Sequence, residues 1–252
     1  MKKAFAILAG LAILAACEKK EKPAGNLLLT GEISGLKKGT LYISKLEDTL
    51  LVPIDSIAID GNSHFESDLN LESPQMIYLL LDRGVTTSKD NSLMVFAEPG
   101  TIDIKTSLQT FFADAKITGS KNHELYEEFR KVNSRFTGEE LDITAERLNA
   151  YKDKKFFDEK AAMDKMEKIT KRKYLYAVNF ALNHRDKEIA PYIALSEVAG
   201  YAVQSERADA SVRYLDTIQK SLTPEVAKSK YGQMLIRLIN ERKVIAEQQA
   251  IQ

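Results

Sequence analysis

The spacing of apolar residues in this chain changes at Gly119. Before that glycine the apolar residues recur at every second position in short runs. After it they recur at about 3.6 residues, the period of a helix. A strand buries alternate side chains and a helix buries a stripe, so a chain written first in one pattern and then in the other segregates its two kinds of layer. The expectation is an α+β fold. An antiparallel β-sandwich or barrel-like domain occupies residues 26–119, and an α-helical region occupies residues 120–252.

The β-prone runs are Leu27 to Ile33, Thr40 to Leu46, Val52 to Ile59, His64 to Leu69, Met76 to Leu81, Leu93 to Ala97, Thr101 to Thr106 and Ala115 to Thr118. Turn-forming stretches separate them, among them Gly35 to Gly39, Asp60-Gly61-Asn62, Ser73-Pro74 and Pro99-Gly100. Leu41 and Ile43, like Ile102 and Ile104, alternate with polar neighbours and predict one buried face each. Met76 to Leu81 is apolar at both parities, which predicts a central strand covered on both sides, with helices supplying one cover.

Beyond Gly119, Ser120 is a helix cap with Glu124, Glu127 and Glu128 in the early turns. Leu125, Phe129, Val132 and Phe136 form the apolar stripe, and Thr137-Gly138 is expected to end this helix. A short helix is expected over Asp142 to Tyr151. A long one follows from Lys154 to His184 with Phe156, Met163, Met166, Ile169, Tyr174, Ala177 and Ala181 inward. Pro191 suits the first turn of a fourth helix striped by Leu195, Val198, Ala199 and Ala202, and Ala208 to Leu222 is a fifth. Thr223-Pro224-Glu225 opens a last helix, expected to run to about Gln248 with Tyr231, Met234, Leu235, Leu238 and Ile245 inward.

The 252 residues contain a single cysteine, Cys17. One cysteine allows no intramolecular disulfide and no Cys-x-x-Cys pair, so the fold stands on its hydrophobic core. A hydrophobic share of 44% and roughly 235 residues after Cys17 supply enough apolar surface for one large domain or two smaller ones. The 36 basic and 36 acidic side chains balance. Without a concentrated basic surface, nucleic acid is not an expected partner.

Cys17 also closes an export signal over residues 1–16. Lys2 and Lys3 give a positive start, Ala4 to Leu14 is an apolar run too short to span a bilayer, and Ala15-Ala16 are the small residues before a cleavage point. Leu14-Ala15-Ala16-Cys17 resembles the lipobox of bacterial lipoproteins, which implies that the Cys17 thiol carries diacylglycerol and becomes the new N-terminus. An ordinary secretory signal with a nearby cysteine is the alternative. Each buried acyl CH₂ contributes about 0.8 kcal/mol, so such chains hold a protein on a membrane without a transmembrane helix. No later stretch is long and apolar enough to span. Residues 17–25 then read as the lipidated cysteine and a flexible tether, Glu18 to Gly25, of mixed charge with Pro23 and Gly25 at its end. Some surface-displayed lipoproteins resemble one another in an acidic run after the cysteine. Here Lys19, Lys20 and Lys22 outnumber Glu18 and Glu21, which favours the outer membrane facing the periplasm.

A wider resemblance rests on Gly31-Glu32-Ile33-Ser34-Gly35 leading to Leu41-Tyr42-Ile43, and on Asp55-Ser56-Ile57-Ala58-Ile59-Asp60-Gly61 leading to Phe65. Phe96-Ala97-Glu98-Pro99-Gly100-Thr101-Ile102 and Ile117-Thr118-Gly119-Ser120 continue it. In order and spacing, residues 27 to about 240 resemble the N-terminal part of a family of envelope lipoproteins. In that family a β-rich domain of unknown function and a helical segment precede a thioredoxin-like domain of the alkyl hydroperoxide reductase/thiol-specific antioxidant type. The sequence reaches Gln252 where that last domain would begin, and it has no Trp and no second Cys for a Trp-Cys-x-x-Cys site. The resemblance implies the accessory part without the catalytic part.

Other chemistry is sparse. His64, His123 and His184 lack metal-ligand spacing. His184-Arg185-Asp186 echoes a kinase catalytic loop, but Pro191 stands where its asparagine would be, so it reads as a helix end. Gly31, Gly35 and Gly39 have the spacing of a membrane helix-packing motif yet lie in strand and turn text. Glu139, Glu140 and Asp142, and likewise Asp153, Asp158 and Glu159, could bind a cation or act as acid and base, but read as solvated helix faces. No serine sits in Gly-x-Ser-x-Gly. No catalytic, cofactor-binding or metal-binding residue is therefore assigned, and lipidation at Cys17 is the one expected site.

These readings leave a non-catalytic envelope lipoprotein, held on the membrane by its lipid and binding an envelope protein, a peptide or a glycan. The second class is an accessory partner of a separate thioredoxin-like thiol-disulfide oxidoreductase. An enzyme with an unrecognised carboxylate site is third.

Overall fold

A computed structural model of the chain describes residues 25–82, 89–200 and 208–250. The expected signal, Cys17 and the tether up to Ala24 lie outside the described residues, as does Ala202. The eight expected strands are all present: β1 (Leu27–Ser34), β2 (Lys38–Glu47), β3 (Leu50–Asp60), β4 (His64–Leu69), β5 (Gln75–Asp82), β6 (Ser92–Ala97), β7 (Gly100–Ser107) and β8 (Lys116–Thr118). They build two four-stranded sheets, one ordered β4-β1-β7-β8 and the other β3-β2-β5-β6. Every pairing is antiparallel except that of β1 with β7, which run parallel with Leu29 opposite Ile102. The chain leaves the first sheet at Gly35 for β2 and β3, returns to it as β4, crosses again for β5 and β6, and comes back through Glu98-Pro99 as β7.

The sheets face each other across a dry core. Leu27, Leu29 and Ile33 of β1, Leu41 and Ile43 of β2, Ile77 and Leu79 of β5, and Ile102 and Ile104 of β7 are fully buried there. β3 lies at an edge, where Pro53 interrupts no interior ladder.

β5 and β6 bury both faces. Ile77, Leu79, Leu93 and Val95 enter the inter-sheet core, while Met76 and Phe96, flanked by Tyr78 and Met94, point outward into a second core made with the helices. This is the double cover that Met76 to Leu81 predicts, and one fully buried Phe side chain contributes up to about 3 kcal/mol to it. Phe96 meets Tyr192 and Tyr231 edge-on, with ring centroids 5.6 and 5.9 Å apart. Met76 N–H, beyond the last residue that β2 pairs with, donates to the Tyr231 hydroxyl at 2.9 Å.

Gly119 ends the β-region with φ +96, and a Cβ there would lie 2.0 Å from the Thr101 carbonyl oxygen. Ser120 then caps α1 (Lys121–Lys152). This helix does not stop at Thr137-Gly138, and no separate helix begins at Asp142. Phe136 and Ile143 pack with Ala162 and Ile169 across the break point, and Arg172 holds Glu139 with two bonds of 2.8 and 3.2 Å. Together these outweigh the cost of one helical glycine, about 1 kcal/mol. α2 (Glu159–Asn183) begins later than Lys154, because the Asp158 side chain accepts the Ala161 N–H as its cap. Phe156 is consequently in the connecting loop and exposed, and Met163 also points outward; neither is inward as expected.

The chain continues through α3 (Ile189–Ile193), which widens into a π-helical turn at Ala194–Val198, and then α4 (Ala208–Ser221). Thr223 caps α5 (Pro224–Lys228) as expected, but Ser229 is extended and splits the last segment, so α6 is Lys230–Ala250. Tyr231, Leu235 and Ile239 are buried on the inward face, whereas Met234 and Ile245 are exposed and not inward as expected. No described helix is long and apolar enough to cross a membrane.

Candidate functional site

The start of α1 is seated on the free edge of β6 by side chains. Ser120 Oγ donates to the Phe96 carbonyl at 2.7 Å and accepts the His123 N–H at 3.0 Å, while Phe96 N–H donates to His123 Nδ1 at 3.2 Å. An exposed strand edge is thereby closed by a helix cap. Burial holds the His123 ring below its ordinary pKa, helped by Arg130 and opposed by Glu127 and Glu124. Beside it, Asn122 donates through Nδ2 to Glu98 and, at 3.1 Å, to Glu188, and its Oδ1 accepts the Ile189 N–H at 2.9 Å. This polar knot fixes α3 against the same corner, and the π-turn follows directly from α3.

That turn forms one wall of a cleft of about 360 Å³. Glu140 of α1, Thr170, Lys173 and Tyr174 of α2, and Ser196 and Glu197 of the turn line it. π-helical turns often mark functional sites. Glu197 lies in this one, and its carboxyl is pushed above the usual range by burial and drawn back by Lys173. Lys173 Nζ also stands 3.9 Å from Glu140. A part-buried carboxyl, an ammonium and hydroxyl groups in one cleft offer both hydrogen-bond donors and acceptors to a polar ligand.

A shallower depression of about 380 Å³ lies on the outer face of the first sheet, among Thr30, Glu32, His64, Glu66, Asp103 and Lys105. His64 Nε2 is 3.6 Å from Glu32, and Lys105 Nζ is 3.6 Å from Asp103. Three carboxylates, Glu32, Glu66 and Asp103, share this face with one ammonium, Lys105, so its charge leans acidic.

The structure keeps the three histidines apart in role. His64 is on this outer face, His123 is buried at the β6 edge, and His184 ends α2 with its ring 4.4 Å from that of Phe180. His184-Arg185-Asp186 is the helix end that its sequence suggests. Of the acidic groups weighed as cation ligands, four are held in local bonds: Glu139 to Arg172, Asp153 to Lys155, Asp158 to its own helix, and Glu159 to Arg147. Among the described residues, no group of three or more His, Cys, Asp or Glu side chains is placed to hold a metal ion. Sequence reasoning missed Glu197 and Asn122. A glutamate in an apolar stripe between Leu195 and Val198 is the signal that could have marked the first, and the polar pair beside the Ser120 cap the second.

The fold and these clefts define an α+β chain whose β-sandwich is closed by a helical layer. Residues 27–126 match the model of a domain of unknown function, DUF4369. The match takes in all eight strands and the first turns of α1, hence Ser120, Asn122, His123 and Tyr126. No curated protein and no solved structure matches the chain.

Proposed function

We propose that this protein is a non-catalytic lipoprotein of the cell envelope, anchored by lipid at Cys17 in the outer membrane on its periplasmic side, and serving as a binding or scaffold module. The observation that carries it is the placement of the only cysteine directly after Leu14-Ala15-Ala16 at the end of a short apolar run. The polar cleft at Glu197 supports a role in binding: it mixes donors and acceptors, as recognition of a peptide or a glycan requires. The ligand class is an envelope protein, peptide or glycan. Replacement Cys17→Ser tests the anchor, and the expected product is released from membranes or left uncleaved. A Cys17→Ser protein recovered as a processed, membrane-bound form overturns the reading. Crosslinking in living cells followed by mass spectrometry of the captured partners identifies what the module holds.

The second reading is that of an accessory to a separate thioredoxin-like oxidoreductase. Its support is the resemblance of residues 27 to about 240 to the region that precedes such a domain in fused proteins. Insulin reduction by a thioredoxin-like envelope protein, faster with this chain added than alone, would favour it over generic binding.

A further inference from the structure

The hairpin of α1 and α2 turns at Tyr151-Lys152-Asp153-Lys154-Lys155-Phe156-Phe157, of which Tyr151 and Lys152 end α1, and its two phenylalanines are treated oppositely. Phe157 is partly buried, packs on the small core of Phe136 and Ile143, and lies under the Arg147 guanidinium at 5.7 Å. Phe156 beside it is 90% exposed, and Tyr151 is 83% exposed. The loop is nonetheless firmly bonded. Asp153 N–H donates to the Asn149 carbonyl and Lys155 N–H to that of Ala150, both at 2.9 Å, while Lys154 takes the left-handed conformation with φ 54. Phe157 is the staple, and stapling it turns Phe156 out.

Charge follows the same division. The acidic groups of the tip are spent internally: Asp153 pairs with Lys155 at 2.8 Å, Glu159 with Arg147 at 2.8 Å, and Asp158 caps α2. Among the described residues no ion pair is formed by Lys152 or Lys154. The tip therefore presents two exposed aromatic rings, with Leu148 and Met163 exposed behind them, ringed by uncommitted ammonium groups. Aromatic rings at headgroup depth with lysines reaching anionic phosphates are the composition of a membrane-interface contact. A protein partner fits less well. Lysine is depleted at protein interfaces, whereas the tip carries Lys152, Lys154 and Lys155 within four residues.

We propose that the α1–α2 tip docks on an anionic lipid surface, inserting Phe156 and Tyr151 among the headgroups with Lys152 and Lys154 on the phosphates. The contact deepens the membrane reading given above, yet it acts through residues remote in sequence from Cys17 and is tested separately. The chain contains no tryptophan, so Phe156→Trp creates a single reporter at a position where the fold does not depend on the side chain. The full-length variant is mixed with vesicles of phosphatidylglycerol and phosphatidylethanolamine. The expected result is a blue-shifted emission quenched by lipids brominated on the acyl chain, with little change on phosphatidylcholine. Adding Lys152→Glu and Lys154→Glu should weaken the response about tenfold or more. The same signal is expected from Phe156→Trp in a Cys17→Ser background, so loss of the anchor and loss of the tip contact are told apart. Unshifted emission on vesicles that sediment with the protein overturns the proposal. So does a shift that grows with protein concentration without lipid, which would assign the tip to a second copy. An equal response from Leu50→Trp at the exposed β2–β3 turn would mean general adsorption and would also overturn it.

Discussion

His123 accepts the Phe96 N–H on Nδ1 at 3.2 Å, so the histidine must be neutral at that nitrogen for this bond between α1 and the β6 edge to form. Burial lowers its pKa from the ordinary 6.5, and its place in the first turn of α1 disfavours a positive charge in the same direction. The unfolded chain takes up a proton near 6.5 and the folded chain resists it. Stability is therefore full above that value and falls with pH until the folded ring titrates as well. His123→Asn keeps an acceptor but cannot titrate. Its melting temperature should depend less on pH between about 7 and about 5 than that of the parent, as thermal melts at matched ionic strength will show.

Two glycines on either side of this junction should respond oppositely to alanine. Gly119→Ala forces a Cβ against the Thr101 carbonyl at positive φ and should cost about 3 kcal/mol or more. Gly138→Ala meets nothing within 4 Å and lies inside α1, so it should stabilise by about 1 kcal/mol. Urea titrations of the two variants measure both signs.

Asn122 is the neutral member of a triad with Glu98 and Glu188. Asn122→Asp places a third carboxylate, at a buried position, within hydrogen-bond distance of two half-buried ones. The expected loss is about 3 kcal/mol or more at neutral pH. Denaturant midpoints of Asn122→Asp and of the uncharged Asn122→Leu decide it. An equal loss from both would mean that geometry and not charge is at fault.

Residues 26–119 expressed alone should aggregate or bind a hydrophobic dye, since Met76 and Phe96 lose the aromatic cover of Tyr126, Tyr192 and Tyr231. A fragment that melts cooperatively without binding dye would show that the sandwich closes by itself.

The strands were readable because each is short, alternates at period two and ends in turn residues. The double burial of Met76 to Leu81 was readable because neither parity is polar. The parallel pairing of β1 with β7 was not, because strand order is set by contacts more than seventy positions apart and leaves no local mark. Helix ends failed where tertiary contacts overruled propensity: the seam of Phe136 and Ile143 carried α1 through Gly138, and Ser229 split the last helix, a break whose one mark in the sequence is Gly232, where a Cβ would meet the Val226 carbonyl. The candidate cleft was least legible of all. A π-turn has no composition of its own, and Glu197 acquires its character only from the walls around it.

β1 is the first strand of the sandwich and also an interior one, hydrogen-bonded to β4 on one side and β7 on the other along nearly its whole length. A pull on the chain ahead of Leu27 acts along the strand axis and loads both ladders in shear, so many bonds must fail together before the strand slides. A terminal strand at the sheet edge, pulled across its ladder, would instead unzip one bond at a time. The entry of the chain thus gives this domain a mechanically resistant handle at the end where any upstream tether would transmit force.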